Sequence, residues 1–246
     1  MVTATEPPAA LVTGGAHRIG RAIVEDLARN GWAVAIHANH SRDAAEALAA
    51  GHRAQGARAA VVTGDLASAD VPRAIVAAAT AALGPLCLLV NNASIFEKDT
   101  VGKLDRALFD RQIAVNLTGA VFLAEAFANA LPAGMEGNIV NLLDQRVWRP
   151  SPAYFSYQLA KSALLTATVT LAEALAPRVR VNAIAPGPVL PSEHQTAEGF
   201  ARKLEHTLLH RAPDLAEFGR TVRYFVEAKS VTGQVITLDS GEHLTG

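Results

Sequence analysis

A chain of 246 residues, half of them hydrophobic and only 5% aromatic, is long enough to bury one large core and fits one domain better than two. Its 22 Lys and Arg against 23 Asp and Glu leave a net charge of -1, which excludes a basic field for nucleic acid or anionic lipid and points to a small-molecule partner. The lone cysteine, Cys87, excludes an internal disulfide, fits a reducing cytoplasm and reads as a small core residue.

The segment from Met1 to Pro8 lacks the apolar stretch of a secretory signal and reads as a short frayed tail ahead of one domain over residues 9–246. Apolar windows such as Val76 to Leu83 are too short or too interrupted to cross a bilayer, so no membrane span is expected. Short β-branched runs then alternate with segments of helical apolar spacing, the signature of βαβ units and a parallel sheet. Strands are expected at Ala9 to Val12, Ala33 to His37, Ala59 to Thr63, Cys87 to Asn91, Asn138 to Leu143, Arg180 to Ile184 and Gln234 to Leu238. Helices are expected near 18–29, 42–54, 70–82, 106–131, 155–176 and 215–227. The result is an α/β fold: a doubly wound, seven-stranded parallel sheet with helices on both faces. Such sheets bind ligands beyond the carboxyl ends of their strands.

Directly after the first strand comes Thr13-Gly14-Gly15-Ala16-His17-Arg18-Ile19-Gly20, opening into a helix with Ile23, Val24 and Leu27 on one face. Glycine lets backbone approach a pyrophosphate, whose charge is favoured by the amides and positive dipole end of the helix. The second strand ends Ile36-His37-Ala38-Asn39-His40-Ser41-Arg42, with no carboxylate where an NAD enzyme holds the ribose hydroxyls. Arg18, His37, Asn39, His40 and Ser41 instead offer donors to a 2′-phosphate, which favours NADPH over NADH; alternatively Ser41 caps the next helix and the histidines are solvated. Asp65 and Leu66 after the third strand, and Asn92, Ala93 and Ser94 after the fourth, fall where the rest of a dinucleotide would lie, or else make local turns.

Of three tyrosines, only Tyr157 has a lysine four residues on, Lys161, on the same helical face. Hydride transfer to C=O or C=N leaves an anion that needs a proton, and a phenol of ordinary pKa ~10 must be made more acidic to supply it near neutrality. Lys161 is expected to do this electrostatically while holding cofactor ribose.

In the order and spacing of the glycine turn, Asn92-Ala93, Asn116, Tyr157-x-x-x-Lys161 and Asn182-Ala183-Ile184-Ala185-Pro186-Gly187, the chain resembles the short-chain dehydrogenase/reductases over nearly its whole length. The resemblance implies a single-domain Rossmann fold binding NADPH/NADP, with Pro186, Gly187 and Val189 against the nicotinamide. It also implies that Asn116 kinks a helix and holds water for a proton relay. Two departures stand out: Arg18 where most members have glycine, and Asp144 where they have a catalytic serine. With His37, Ser41, Ser94 and Phe96, they resemble the pteridine reductase and dihydromonapterin reductase branch. That resemblance implies that Arg18 serves the cofactor phosphates and that Phe96 stacks a pterin against the nicotinamide.

An ionised Asp144 accepts hydrogen bonds and cannot donate one to a carbonyl, so it suits a substrate bearing N–H groups or a relay through Tyr157; alternatively it points away. The leading expectation is reduction of a pterin or dihydrofolate-like heterocycle, with a ketone or 3-oxoacyl thioester substrate as the first alternative and a non-catalytic NADP-binding sensor as the second. Residues from about 190 to 212 form the expected substrate lid. His206 and His210 stand four apart within it but lack a third ligand, so no metal is expected. The usual Gly before a Pro-Glu pair is replaced by Arg211-Ala212-Pro213-Asp214, which leaves the following loop undetermined. Ala-rich helices near 120–131 and 162–175 suit close packing against partner helices, and a homotetramer is expected, with a dimer as the smaller alternative.

Overall fold

The computed structural model describes residues 6–191 and 196–245. Part of the segment expected to be a tail (1–5) and part of the segment expected to be a lid (192–195) therefore lie outside the described residues. Seven parallel strands, β1 (Ala9–Val12), β2 (Ala33–Ala38), β3 (Ala59–Thr63), β4 (Leu86–Asn91), β5 (Gly137–Leu142), β6 (Val179–Pro186) and β7 (Val235–Leu238), form one sheet in the order 3-2-1-4-5-6-7. The winding direction reverses between β1 and β4, and a crevice opens there at the carboxyl ends.

The sheet is covered on both faces, which explains why its central strands are apolar runs without polar alternation. On β1, Ala10 and Val12 face α1 (Arg18–Arg29) and α8 (Leu215–Glu227), whose Ile23, Leu27, Phe218 and Phe225 are fully buried. Ala9 and Leu11 point the other way, toward α3 (Val71–Leu83) and α5 (Gly119–Ala130). The remaining helices are α2 (Arg42–Ala54), α4 (Arg106–Ile113), α6 (Phe155–Leu175) and α7 (Ala197–Glu205). Seven strands and five of the six expected helices fall where the sequence places them within a few residues, and α7 is an additional helix inside the expected lid.

The expected single helix over 106–131 is instead α4 and α5 joined by a π-helical turn at Ala114–Thr118. By length and composition the stretch Arg106–Ala130 is apolar enough to cross a bilayer, a window the sequence reading passed over. In this fold its Leu123, Ala124 and Phe127 are buried in the core.

Helices α1 and α8 pack closely because Gly219 lies against Asp26, whose carboxylate accepts a 2.7 Å hydrogen bond from Arg223 Nε. A methyl group at 219 would overlap Asp26 Cβ. Gly219→Ala is therefore expected to destabilise the fold by about 1–3 kcal/mol, the usual cost of overpacking, read as a lower urea midpoint at unchanged slope.

Candidate active site

The first turn of α1 faces the crevice with no side-chain cap on its amides and no acidic residue among its first residues. Gly14 has φ +60, and a Cβ there would stand 3.0 Å from Ala93 Cα; one on Gly20 would overlap the Gly14 carbonyl oxygen. The glycines thus let β1, α1 and the loop after β4 converge. Thr13 locks them together: its Oγ1 accepts from the amides of Asn92 (2.9 Å) and Ala93 (3.0 Å), while Asn92 Nδ2 donates to the carbonyls of Thr13 (2.8 Å) and Gly14 (3.1 Å).

His37 is not available to a 2′-phosphate, contrary to the sequence expectation. It is buried, Gly14 N donates to its Nδ1 at 3.3 Å, and its Nε2 lies 3.0 Å from the Gly64 carbonyl. A carbonyl can only accept, so Nε2 carries the hydrogen and the ring is neutral; burial lowers its pKa in agreement. Asn39 and His40 are exposed, with Asn39 Nδ2 3.2 Å from His40 Nε2, and Ser41 makes no side-chain cap to α2. Of the residues expected at the end of β2 to meet a phosphate, these three remain, followed by the exposed Arg42. Asp65 is held by Arg111 at 2.6 Å, which keeps its carboxyl below the ordinary range, and Leu66 is buried against Gly119.

Arg18 adopts φ +51, a conformation that favours the glycine it replaces. Its guanidinium donates to the carbonyls of Leu190 (3.2 Å) and Pro191 (3.0 Å), so in this conformation it ties the start of the lid to α1. The implied phosphate role requires those bonds to be exchanged or shared.

Beyond β5 and at the start of α6, the expected catalytic groups converge. Tyr157 Oη donates to Asp144 Oδ2 at 3.0 Å, and Lys161 Nζ donates to the Leu142 carbonyl at 2.7 Å, 5.7 Å from the Tyr157 ring. Asp144 also accepts from the amide (2.9 Å) and guanidinium (3.2 Å) of Arg146. The expected acidification of the phenol is not found: burial first, then the charge and hydrogen bond of Asp144, raise the Tyr157 pKa well above its ordinary value, while Arg146 and Ser94 pull weakly the other way. The carboxylate occupies the place beside the hydroxyl, and Lys161 is anchored to β5. Burial lowers the Lys161 ammonium to about 8, with Asp144 opposing.

Asn116 lies in the π-helical turn: its Oδ1 accepts from Ser94 Oγ (2.8 Å) and Ile95 N (3.0 Å), and its Nδ2 donates to Ile95 O (2.9 Å). It fixes the loop between β4 and α4. Phe96 on that loop is 41% exposed and stacks on Tyr154 at 4.1 Å, with Tyr157 edge-on at 4.7 Å. One face of the expected stacking residue is therefore already taken. Tyr154 and Arg146, whose guanidinium lies 5.1 Å from the Phe96 ring centre, were missed in the sequence. Their positions, three before Tyr157 and two after Asp144, were the available signal.

Gly14, His17, Arg18, Ile19, Asn92, Ala93, Ser94, Phe96, Asp144, Tyr157, Lys161, Pro186, Gly187 and Val189 line one cleft of about 1170 Å³, together with Phe200 and Lys203 of α7. His37, Asn39, His40, Ser41, Asp65, Leu66 and Asn116 lie outside its lining. A Cβ on Gly187 would press 2.6 Å from Asp239 Cβ. His206 Nδ1 lies 2.7 Å from Arg202 O and His210 Nδ1 lies 3.0 Å from Glu205 O. Cys87 is a free thiol, part-buried, its pKa raised by burial.

A dinucleotide-type crevice opening onto a buried tyrosine and lysine and a part-buried carboxylate is the site of an oxidoreductase on a doubly wound sheet. The chain belongs to the short-chain dehydrogenase family, whose profile matches residues 8–201. It is similar to the FolM alternative dihydrofolate reductase 1 of Brucella canis, solved with NADP, at 56% identity and TM-score 0.95 over 97% of this chain and 95% of that one. The Brucella suis counterpart, also with NADP, matches at 56% and 0.95, over 97% and 96%. The 3-oxoacyl-[acyl-carrier-protein] reductase of Staphylococcus aureus is 29% identical over 96% of this chain and 98% of its own length.

Asp144→Ser removes two of the three causes that raise the Tyr157 pKa. The variant is expected to form tyrosinate at lower pH than the wild type in an ultraviolet difference titration. Identical titrations would show that burial alone sets the phenol.

Proposed function

We propose that the protein is an NADPH-dependent reductase of a pterin or dihydrofolate-like heterocycle. The observation that carries this reading is Asp144, bonded to Tyr157 at 3.0 Å, beside an aromatic pair at the cleft wall. The 56% identity to two FolM alternative dihydrofolate reductases supports it.

The residues fit a dinucleotide. Glycine backbone and the uncapped amides of α1 offer a phosphate cradle, and the cleft of about 1170 Å³ exceeds the ~300–1,000 Å³ typical of a small-ligand pocket, leaving room for cofactor and substrate together. Asn39, His40 and Ser41, with no carboxylate among them, suit the 2′-phosphate of NADPH. When bound, the dihydronicotinamide supplies the hydride.

The chain's own groups handle the proton. Tyr157 keeps its hydrogen across the neutral range, so it enters the reaction as an acid. In this conformation that hydrogen is donated to Asp144, so delivering it to a substrate requires the bond to be exchanged; when ionised, Asp144 accepts from ring N–H groups, and a carbonyl substrate offers it no donor. Lys161 spends one of three N–H donors on Leu142 and, with its pKa near 8, keeps two more and a positive charge at neutrality for ribose hydroxyls. Phe96, 41% exposed at the cleft wall beside Tyr154, offers aromatic surface to a planar ring.

Similarity to 3-oxoacyl reductases keeps a thioester substrate as the second reading. Steady-state assays with dihydropterins, dihydrofolate and an acetoacetyl thioester decide between them: oxidation of NADPH by the heterocycles is expected, and turnover confined to the thioester overturns the proposal. Tyr157→Phe is expected to cut turnover by about 10²–10⁴-fold, the ordinary worth of a positioned acid, with NADPH affinity retained.

A homotetramer is part of the proposal. Phe122 on α5 is 50% exposed, and Leu159 and Val169 on α6 are exposed large apolar groups that a partner subunit would cover. Light scattering is expected to give four times the chain mass; a monomer would remove this element.

A further inference from the structure

Helix α6 begins without a cap of its own: Tyr154 precedes it at φ +60 and makes no side-chain cap bond. Its first amides are satisfied from more than 50 residues away. Asp99, buried in the loop that carries Phe96, accepts from Ser156 N with both carboxylate oxygens (3.2 Å each) and from Ser156 Oγ at 2.6 Å, while its carbonyl accepts from Phe155 N at 3.4 Å. Ser156, fully buried, also accepts from Gln112 Nε2 at 2.8 Å, and the same Gln112 amide donates to Glu97 O at 3.2 Å. An antiparallel bridge pairs Thr100 with Ala153. The loop is thus tied on both sides of Glu97 and Asp99 to the residue immediately before Tyr157.

We infer that Asp99 is a positioning residue that, through Ser156 and Gln112, holds the Phe96 platform at a set distance from the Tyr157 hydroxyl. A carboxylate at a helix N-terminus is electrostatically favoured, and a network with no free partner admits one arrangement. The substrate's flat face is read by the loop and its proton is delivered by the helix. The strut therefore fixes the relation between binding and chemistry, without contacting substrate or cofactor.

The kinetic arm of the test rests on the reductase reading, and the exchange arm does not. Asp99→Ala, Asp99→Asn and Ser156→Ala are compared with the wild type; the serine variant keeps the buried carboxylate and the two amide bonds, so it guards against loss of folding. In Asp99→Ala, misplacement of about 1 Å is expected to lower kcat/KM for the heterocycle by about 10–100-fold, through both kcat and KM, while the NADPH dissociation constant changes less than about twofold. Asp99→Asn, which keeps one acceptor oxygen and the volume, is expected to recover most of that loss. Hydrogen exchange of segments 92–101 and 153–158 is expected to accelerate by about tenfold in Asp99→Ala, with the β1–α1 segment unchanged. Unchanged exchange in the two segments, unchanged kinetics, or an equal loss of NADPH affinity overturns the inference. A wild type that reduces no heterocycle would count against the proposed function, and exchange would then decide the strut alone.

Discussion

The hydrogen bond from Tyr157 to Asp144 sets conditions that the surrounding structure has to meet. A buried phenol and a part-buried carboxylate are placed side by side, which is costly unless the charge is compensated. Arg146 compensates it with its backbone amide and its guanidinium, and Lys161 adds a second positive charge anchored to the end of β5. The four groups come from two elements, the turn after β5 and helix α6, so their geometry is only as firm as the packing of α6 against β6. The exchange of a serine-type hydroxyl for a carboxylate changes the direction of hydrogen bonding at the reacting centre, from donating to accepting, and with it the kind of ring the cleft suits.

The nucleotide half obeys a different economy. There the backbone does most of the binding, and side chains hold the backbone in place. Thr13, Asn92 and His37 spend their polar atoms on neighbouring strand ends and turns, Thr13 and Asn92 across the switch point between β1 and β4. His37 joins β2 to the turns after β1 and β3 as a neutral ring in a dry environment, where a charged one would be expensive. On the proposed reading, recognition of a 2′-phosphate falls to the exposed residues that follow it.

Fold class was legible because period and punctuation agreed: apolar runs of four to eight residues, most of them followed by a turn and a segment of helical spacing. Tyr157, Lys161 and the glycine turn were legible because their spacing is local. What the sequence hid was long-range. Whether His37 faced a ligand or a neighbouring loop depended on Gly64, and the acidity of Tyr157 depended on how deeply α6 was covered. Arg146 and Tyr154 went unnoticed because neither belongs to a spaced motif; they matter through a ring stack and an ion pair that only folding assembles. The π-helical turn escaped for a related reason: apolar residues on both sides of it keep a helical rhythm, and a single slipped residue is invisible to a window average.

That slipped residue has a geometric outcome. Each residue of an α-helix turns the chain by about 100°, so one extra residue in the turn at Ala114–Thr118 rotates everything after it relative to everything before. The rod from Arg106 to Ala130 therefore carries two apolar and polar stripes that are out of phase. Its first half aims Gln112 at Ser156, and its second half aims Phe127 into the core beneath the sheet. A rod of uniform pitch would have to give up one of those two aims, and Asn116 sits at the phase break, where its amide meets the loop carrying Ser94 and Ile95.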